Sequence, residues 1–133
     1  MSSALPKSKL ARHITRLNLL STGPGSVKVS PTVESIELIF KQRSPKGHLG
    51  ARKFWRENLP RIQYHNPHLS ITVRRIEPET KKQESEIPAL LKINYNNGQE
   101  SKITKIKYLF NEDILQKFVK LTDAKAVETT AVN

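Results

Sequence analysis

The chain has 133 residues, a formal net charge of +11, a pI near 10.1 and no cysteine. Its length suits one compact domain with tails, and its charge points to a polyanionic partner, either nucleic acid or an anionic membrane surface. Disulfides, thiolate catalysis and thiolate zinc sites are excluded, and no apolar run approaches the roughly 20 residues of a membrane span, so a soluble protein is expected.

Residues 1–33 contain no acid and interleave Lys7, Lys9, Arg12 and Arg16 with Leu10, Ile14, Leu17 and Leu20. That pattern predicts a basic amphipathic helix over about 7–20, suited to a mitochondrial address or to an RNA-ordered arm. "STGPGS" then breaks the chain. Alternation in "TVESIELIFK" predicts a strand over about 32–41. After the turn "SPKGHLG", Ala51, Phe54, Trp55 and Leu59 fall at helical spacing, and the helix is expected to end before Pro60. "LSITVRRI" predicts a strand over 69–76, entered through "HNPH". "PETKKQESE" reads as a polar loop, followed by a hairpin "IPALLKINY-NNG-QESKITKIKY" whose Asn97 and Gly98 are expected to supply positive φ. A final helix opens at "NEDILQKFVKL", with Asn111 as N-cap and Ile114, Leu115, Phe118 and Leu121 on one face. The division expected is therefore a basic helix and linker over 1–31, a domain over 32–122 and a fraying tail over 123–133.

The charge is segregated. Residues 1–76 hold 14 Lys and Arg against 3 acids, and residues 77–133 hold 9 against 9. All eight arginines lie in the first part, and the planar guanidinium suits bidentate phosphate contact and base stacking better than lysine does. A phosphate-facing half and a neutral half follow. The residues expected to meet nucleic acid are Lys7, Lys9, Arg12, Arg16, Lys46, Arg52, Lys53, Arg56, Arg61, Arg74 and Arg75. Arg52 and Arg56, four apart on a helix, repel by a few tenths of a kcal/mol unless an anion lies between them.

No catalytic constellation emerges. There is no GK[ST] phosphate loop, nucleophile elbow or HExxH, and His65 and His68 lack nearby acids to complete a metal site. No enzymatic activity, cofactor or small-molecule substrate is expected. "KGHLG" fits the GxxG that clamps nucleotides in KH domains, but there the motif joins two helices, whereas a strand precedes this one. The Gly47–Gly50 turn can still approach a phosphate through accessible amides.

The element order is strand, helix, strand, strand, strand, helix, with an extra N-terminal helix. It matches the minimal thioredoxin arrangement, an α/β (α+β) fold with helices covering a mixed four-stranded sheet. "IPALLKI…NNGQ" also resembles the thioredoxin segment in which a cis proline opens a core strand, which would make Ile87–Pro88 cis. The turn that bears reactive cysteines in thioredoxins is here "RSPKGHLGARKFW", without a thiol.

The pattern G-x-x-G-x-(K/R)-x-F, then an aromatic, Asn-Pro and a strand, is carried by Gly47, Gly50, Lys53, Phe54, Pro60, Tyr64, Asn66 and Pro67. It resembles a family of small mitochondrial proteins with a thioredoxin-like fold: several mitochondrial ribosomal proteins and one accessory subunit of respiratory Complex I. The resemblance covers about 30–122 and is greatest to a fungal large-subunit type, protein 49. A small-subunit type, protein 25, shares "GARKF" and "QY-NP". The Complex I member usually carries cysteines, which this chain lacks. The resemblance implies a structural constituent of the mitochondrial large ribosomal subunit in the matrix, binding rRNA through its basic half and neighbouring ribosomal proteins through the rest.

Overall fold

The computed structural model describes Gly23 and residues 25–42 and 46–127; the helix expected over 7–20 lies outside them. Strand β1 (Val27–Lys28) precedes β2 (Val33–Lys41). Helix α1 follows in three segments, an α turn Leu49–Lys53, a π-helical turn Phe54–Asn58 and an α segment Leu59–His65. Then come β3 (Ser70–Ile76), α2 (Lys81–Glu86), β4 (Leu90–Tyr95), β5 (Lys102–Lys105), α3 (Asn111–Thr122) and β6 (Lys125–Ala126).

The main sheet has the order β3-β2-β4-β5. β2 and β3 are parallel, which requires a crossover, and α1 provides it. The other pairs are antiparallel. Alternation in β2 sends Ile36, Leu38 and Phe40 to one face, opposite Ile93 and Leu91 of β4, and all five are 1% exposed or less. Each contributes on the order of 2 kcal/mol by leaving water. Ala51, Phe54, Leu59 and Ile62 of α1 and Ile114 and Phe118 of α3 are buried in the same core, with the Phe54 and Phe118 rings 6.1 Å apart. The other face carries Ser35, Glu37, Ile39, Thr72, Arg74, Lys92 and Ile103, all half-buried or exposed.

Several expectations are corrected. Helix α1 passes through Pro60 to His65. The π turn, in which the Leu59 amide donates to the Phe54 carbonyl, restarts the helix so that Pro60 occupies a first-turn position, where a missing N–H costs nothing. The expected polar loop contains α2, because the Thr80 hydroxyl accepts from the Gln83 amide at 3.2 Å and caps it. In the hairpin Gly98 takes φ 86°, while Asn97 stays at negative φ and accepts from the Gln99 amide. Asn111 lies inside α3, bonded through its side chain to Asn58 and Glu57 of α1 rather than capping. No cis peptide occurs among the described residues; Ile87 is extended at φ −69°, ψ 121°, the usual state before a trans proline. Residues 125–126, in the tail expected to fray unless a neighbour covers it, pair antiparallel with Val27–Lys28.

The first turn of α1 docks on the turn before α3 at Gly50. A Cβ there would lie 1.8 Å from the Leu109 carbonyl oxygen, a distance that only backbone movement can relieve. Gly98, by contrast, has nothing within 4 Å. We therefore expect Gly50→Ala to cost about 3 kcal/mol or more, through displacement of packed backbone, and Gly98→Ala about 1 kcal/mol, through its positive φ alone. Urea denaturation of both variants checks this, and equal losses would contradict it.

Candidate nucleic-acid interface

Helix α1 turns Ala51, Phe54, Asn58, Leu59 and Ile62 inward, leaving two flanks. Arg56 lies on the flank towards β3, with Arg52 four residues before it in the helix, and Lys53 and Glu57 lie on the flank towards α3. Trp55 lies where the first flank meets the sheet, half-buried, with its ring 5.9 Å from Phe40. Together with Leu59, Pro60, Gln63, Ile71 and Val73 it lines a shallow pocket of ≈ 200 Å³. Two guanidinium groups lie over this one indole, Arg75 at 4.8 Å and Arg56 at 5.7 Å from its centroid. Arg75 reaches it because the parallel register sets that residue opposite Phe40. Cation–π attraction contributes roughly 0.5–1 kcal/mol per exposed contact, and it gathers at one place two planar guanidinium groups of the kind suited to bidentate phosphate contact.

The other expected cations are dispersed. Arg74 points to the opposite face of β3, where its Nε lies 2.7 Å from Glu37 Oε1. Arg61 donates from Nη1 to the Glu57 carbonyl at 2.6 Å, beside Gly23, and so serves a carbonyl within the π turn. Lys53 lines a groove with Tyr108 and Phe110. Lys46 is exposed beside Gly47. Lys7, Lys9, Arg12 and Arg16 lie outside the described residues.

Two features escaped the sequence reading. The helical spacing that groups Trp55 with Phe54 carries no sign that its ring receives two guanidinium groups. Lys28 and Lys125 face each other across β1–β6 and line, with His68 and Asp123, a cleft of ≈ 650 Å³. Like charges directly opposite in a ribbon repel, and the Asp123 carboxylate on the same cleft is the acid nearest at hand to offset them. Their separation along the chain gives no local signal.

The Gly47–Gly50 turn proves structural. Gly47 (φ 79°) accepts from the Tyr108 amide at 2.7 Å, and strand β2, not a helix, precedes it, unlike a KH motif. Between the glycines His48, 1% exposed, accepts at Nδ1 from the Lys41 amide at 3.0 Å. Burial, helped by the Lys41 and Lys107 charges, pushes its pKa down from 6.5 to about 4. The neutral ring therefore carries its proton on Nε2. Among the described residues no group of three or more His, Asp or Glu is placed to hold a metal ion.

A family profile described as "Mitochondrial ribosomal protein L51 / S25 / CI-B8 domain" matches residues 51–104. A Saccharomyces cerevisiae protein named "Large ribosomal subunit protein mL61" is 32% identical over 112 residues, which is 82% of this chain and 80% of that protein. The chain belongs to this family. A Neurospora crassa protein of the same name is 34% identical over 95 residues, 67% of this chain, and the match spans 44% of that relative's length. Both relatives carry the name mL61, where the sequence resemblance pointed to a protein 49 type; that resemblance holds at the level of the family.

The residues that carry the family resemblance build the fold. Asn66, fully buried, donates from Nδ2 to the Val27 and Ile62 carbonyls at 2.8 and 2.7 Å and accepts from the Val29 amide at 3.0 Å, tying the end of α1 to β1. Gly50 permits the helix contact, and Phe54 fills the core.

Because His48 is held neutral, its contribution to stability is complete above about pH 6.5 and falls as pH drops towards 4. Urea midpoints at pH 7 and pH 4.5 should show this loss in the native chain and a smaller one in His48→Gln. An identical acid loss in both would place the sensitivity elsewhere.

Proposed function

We propose that this protein is a structural constituent of the large subunit of the mitochondrial ribosome, in the mitochondrial matrix, and that it holds rRNA with the Trp55 flank of α1. The observation that carries the subunit assignment is the similarity to a large-subunit protein across 82% of the chain and 80% of that relative. It favours this reading over a small-subunit protein or a Complex I subunit. The rRNA assignment is supported by the net charge of +11 and by Arg56 and Arg75 converging on one indole, with Arg52 one turn away. The acid-free residues 1–31 act as a second, basic contact.

The role is binding without turnover. A thioredoxin-like fold is supported by the parallel β2-α1-β3 unit followed by the β4–β5 hairpin and α3, and the turn after its first core strand has no thiol to react. No helix among the described residues is long and apolar enough to cross a membrane. Neighbouring ribosomal proteins are the second class of partner.

On a density gradient of mitochondrial lysate in high magnesium, the protein should travel with the large subunit; migration with the small subunit or with Complex I would overturn the assignment. Replacing Arg52, Arg56 and Arg75 together by Ala should weaken binding of the purified chain to large-subunit rRNA. It should also flatten the dependence of log K on log salt by about two to three units, since each lost phosphate contact removes somewhat under one. An unchanged slope would show that this flank is solvated.

A further inference from the structure

On the other flank of α1 the surface changes character. Leu49, Tyr108 and Phe110 are 53%, 67% and 75% exposed. They border a groove of ≈ 300 Å³ floored by Gly50 and Leu109 and lined also by Lys53, Glu57 and Glu112. A contiguous group of large apolar side chains on a folded surface marks an interaction site far more often than isolated ones do. Here the group is also held rigidly. Tyr108 sits at φ 64°, a left-handed conformation that side-chain-bearing residues rarely adopt. Its amide is bonded to Gly47, and the next residue is packed against Gly50. Such an outlier persists where surrounding structure enforces it, and it concentrates at functional surfaces.

The charges say what the groove receives. On a chain of +11, this lining carries two acids, Glu57 and Glu112, against Lys53. The amino end of α3, which could attract a phosphate, is already faced by Glu112 and Asp113. Lys107 Nζ lies 5.5 Å over the Tyr108 ring, where a stacking base would have to compete with it. The acids of the lining and those at the helix end disfavour an RNA strand. We infer that this groove takes an apolar anchor side chain, flanked by Lys or Arg, from a neighbouring protein of the same ribosomal subunit. The inference rests on the large-subunit assignment. An apolar centre with a polar rim is the usual anatomy of a protein–protein contact, and Glu57, fixed by the Asn111 amide at 3.0 Å, presents its charge in place.

The test compares binding of the full chain to large-subunit particles depleted of it and to protein-free large-subunit rRNA. Phe110→Asp, at an exposed position, should keep the thermal midpoint and weaken binding to particles at least tenfold, while leaving affinity for the free rRNA unchanged. Glu112→Lys should weaken particle binding too, by setting a like charge against the partner's cation. A photo-reactive residue at position 110 should give, in the particle, an adduct that protease destroys and ribonuclease does not. Equal loss on particles and free rRNA, stronger binding by Glu112→Lys, an adduct to RNA, or no effect on particles would each overturn the inference. Failure of the unsubstituted chain to bind depleted particles would instead overturn the subunit assignment on which it rests.

Discussion

The close approach of Gly50 to the Leu109 carbonyl is the constraint on which the rest of the molecule depends. It lets the first turn of α1 lie against the turn that leads into α3, so that Phe54 and Phe118 meet over the sheet. The same contact fixes the Tyr108 turn in its left-handed conformation, with Tyr108 and Phe110 directed outward. His48 secures the other side of this junction by accepting from Lys41 at the end of β2. Core and surface are thus coupled through a few backbone contacts.

Helix α1 then serves two surfaces of opposite chemistry. The π turn at Phe54–Asn58 offsets the helix so that Leu59 and Ile62 as well as Phe54 face the core, and Pro60 falls where a helix tolerates it. Towards β3 the helix offers Arg52, Arg56 and the indole of Trp55, with Arg75 arriving from the strand. Towards α3 it offers Lys53 and Glu57 beside exposed aromatics. The two flanks of one helix thus differ in chemistry, the one rich in arginine beside an indole and the other mixed in charge beside exposed aromatics.

Much of this was legible from residue order. Period-two alternation in "VESIELIFK" gave β2 within a residue, and Ile114 and Phe118 marked the inward face of α3, because burial alone decides those patterns. Where local rules misled, tertiary contacts had overridden them. Pro60 reads as a helix stop until the π turn is known, and Asn111 reads as a cap until Asn58 and Glu57 are brought beside it. The basic residues were identifiable as a class, but not their grouping. Arg74 and Arg75 are adjacent in sequence and lie on opposite faces of β3, one paired with Glu37 and the other stacked on Trp55. Lys28 and Lys125 meet only through the β1–β6 pairing.

The family signature is mostly architectural: Asn66 holds α1 to β1, Gly50 admits α3, and Phe54 fills the core. The proposal assigns rRNA recognition to residues around that frame, above all the Trp55 flank. An electron cryomicroscopy map of the mitochondrial large subunit containing this chain tests that assignment most directly. The Arg52, Arg56 and Arg75 guanidinium groups should lie within hydrogen-bonding distance of rRNA phosphates or bases beside Trp55. A map in which that flank faces open solvent, or in which rRNA runs instead along the Tyr108 and Phe110 groove, would contradict it.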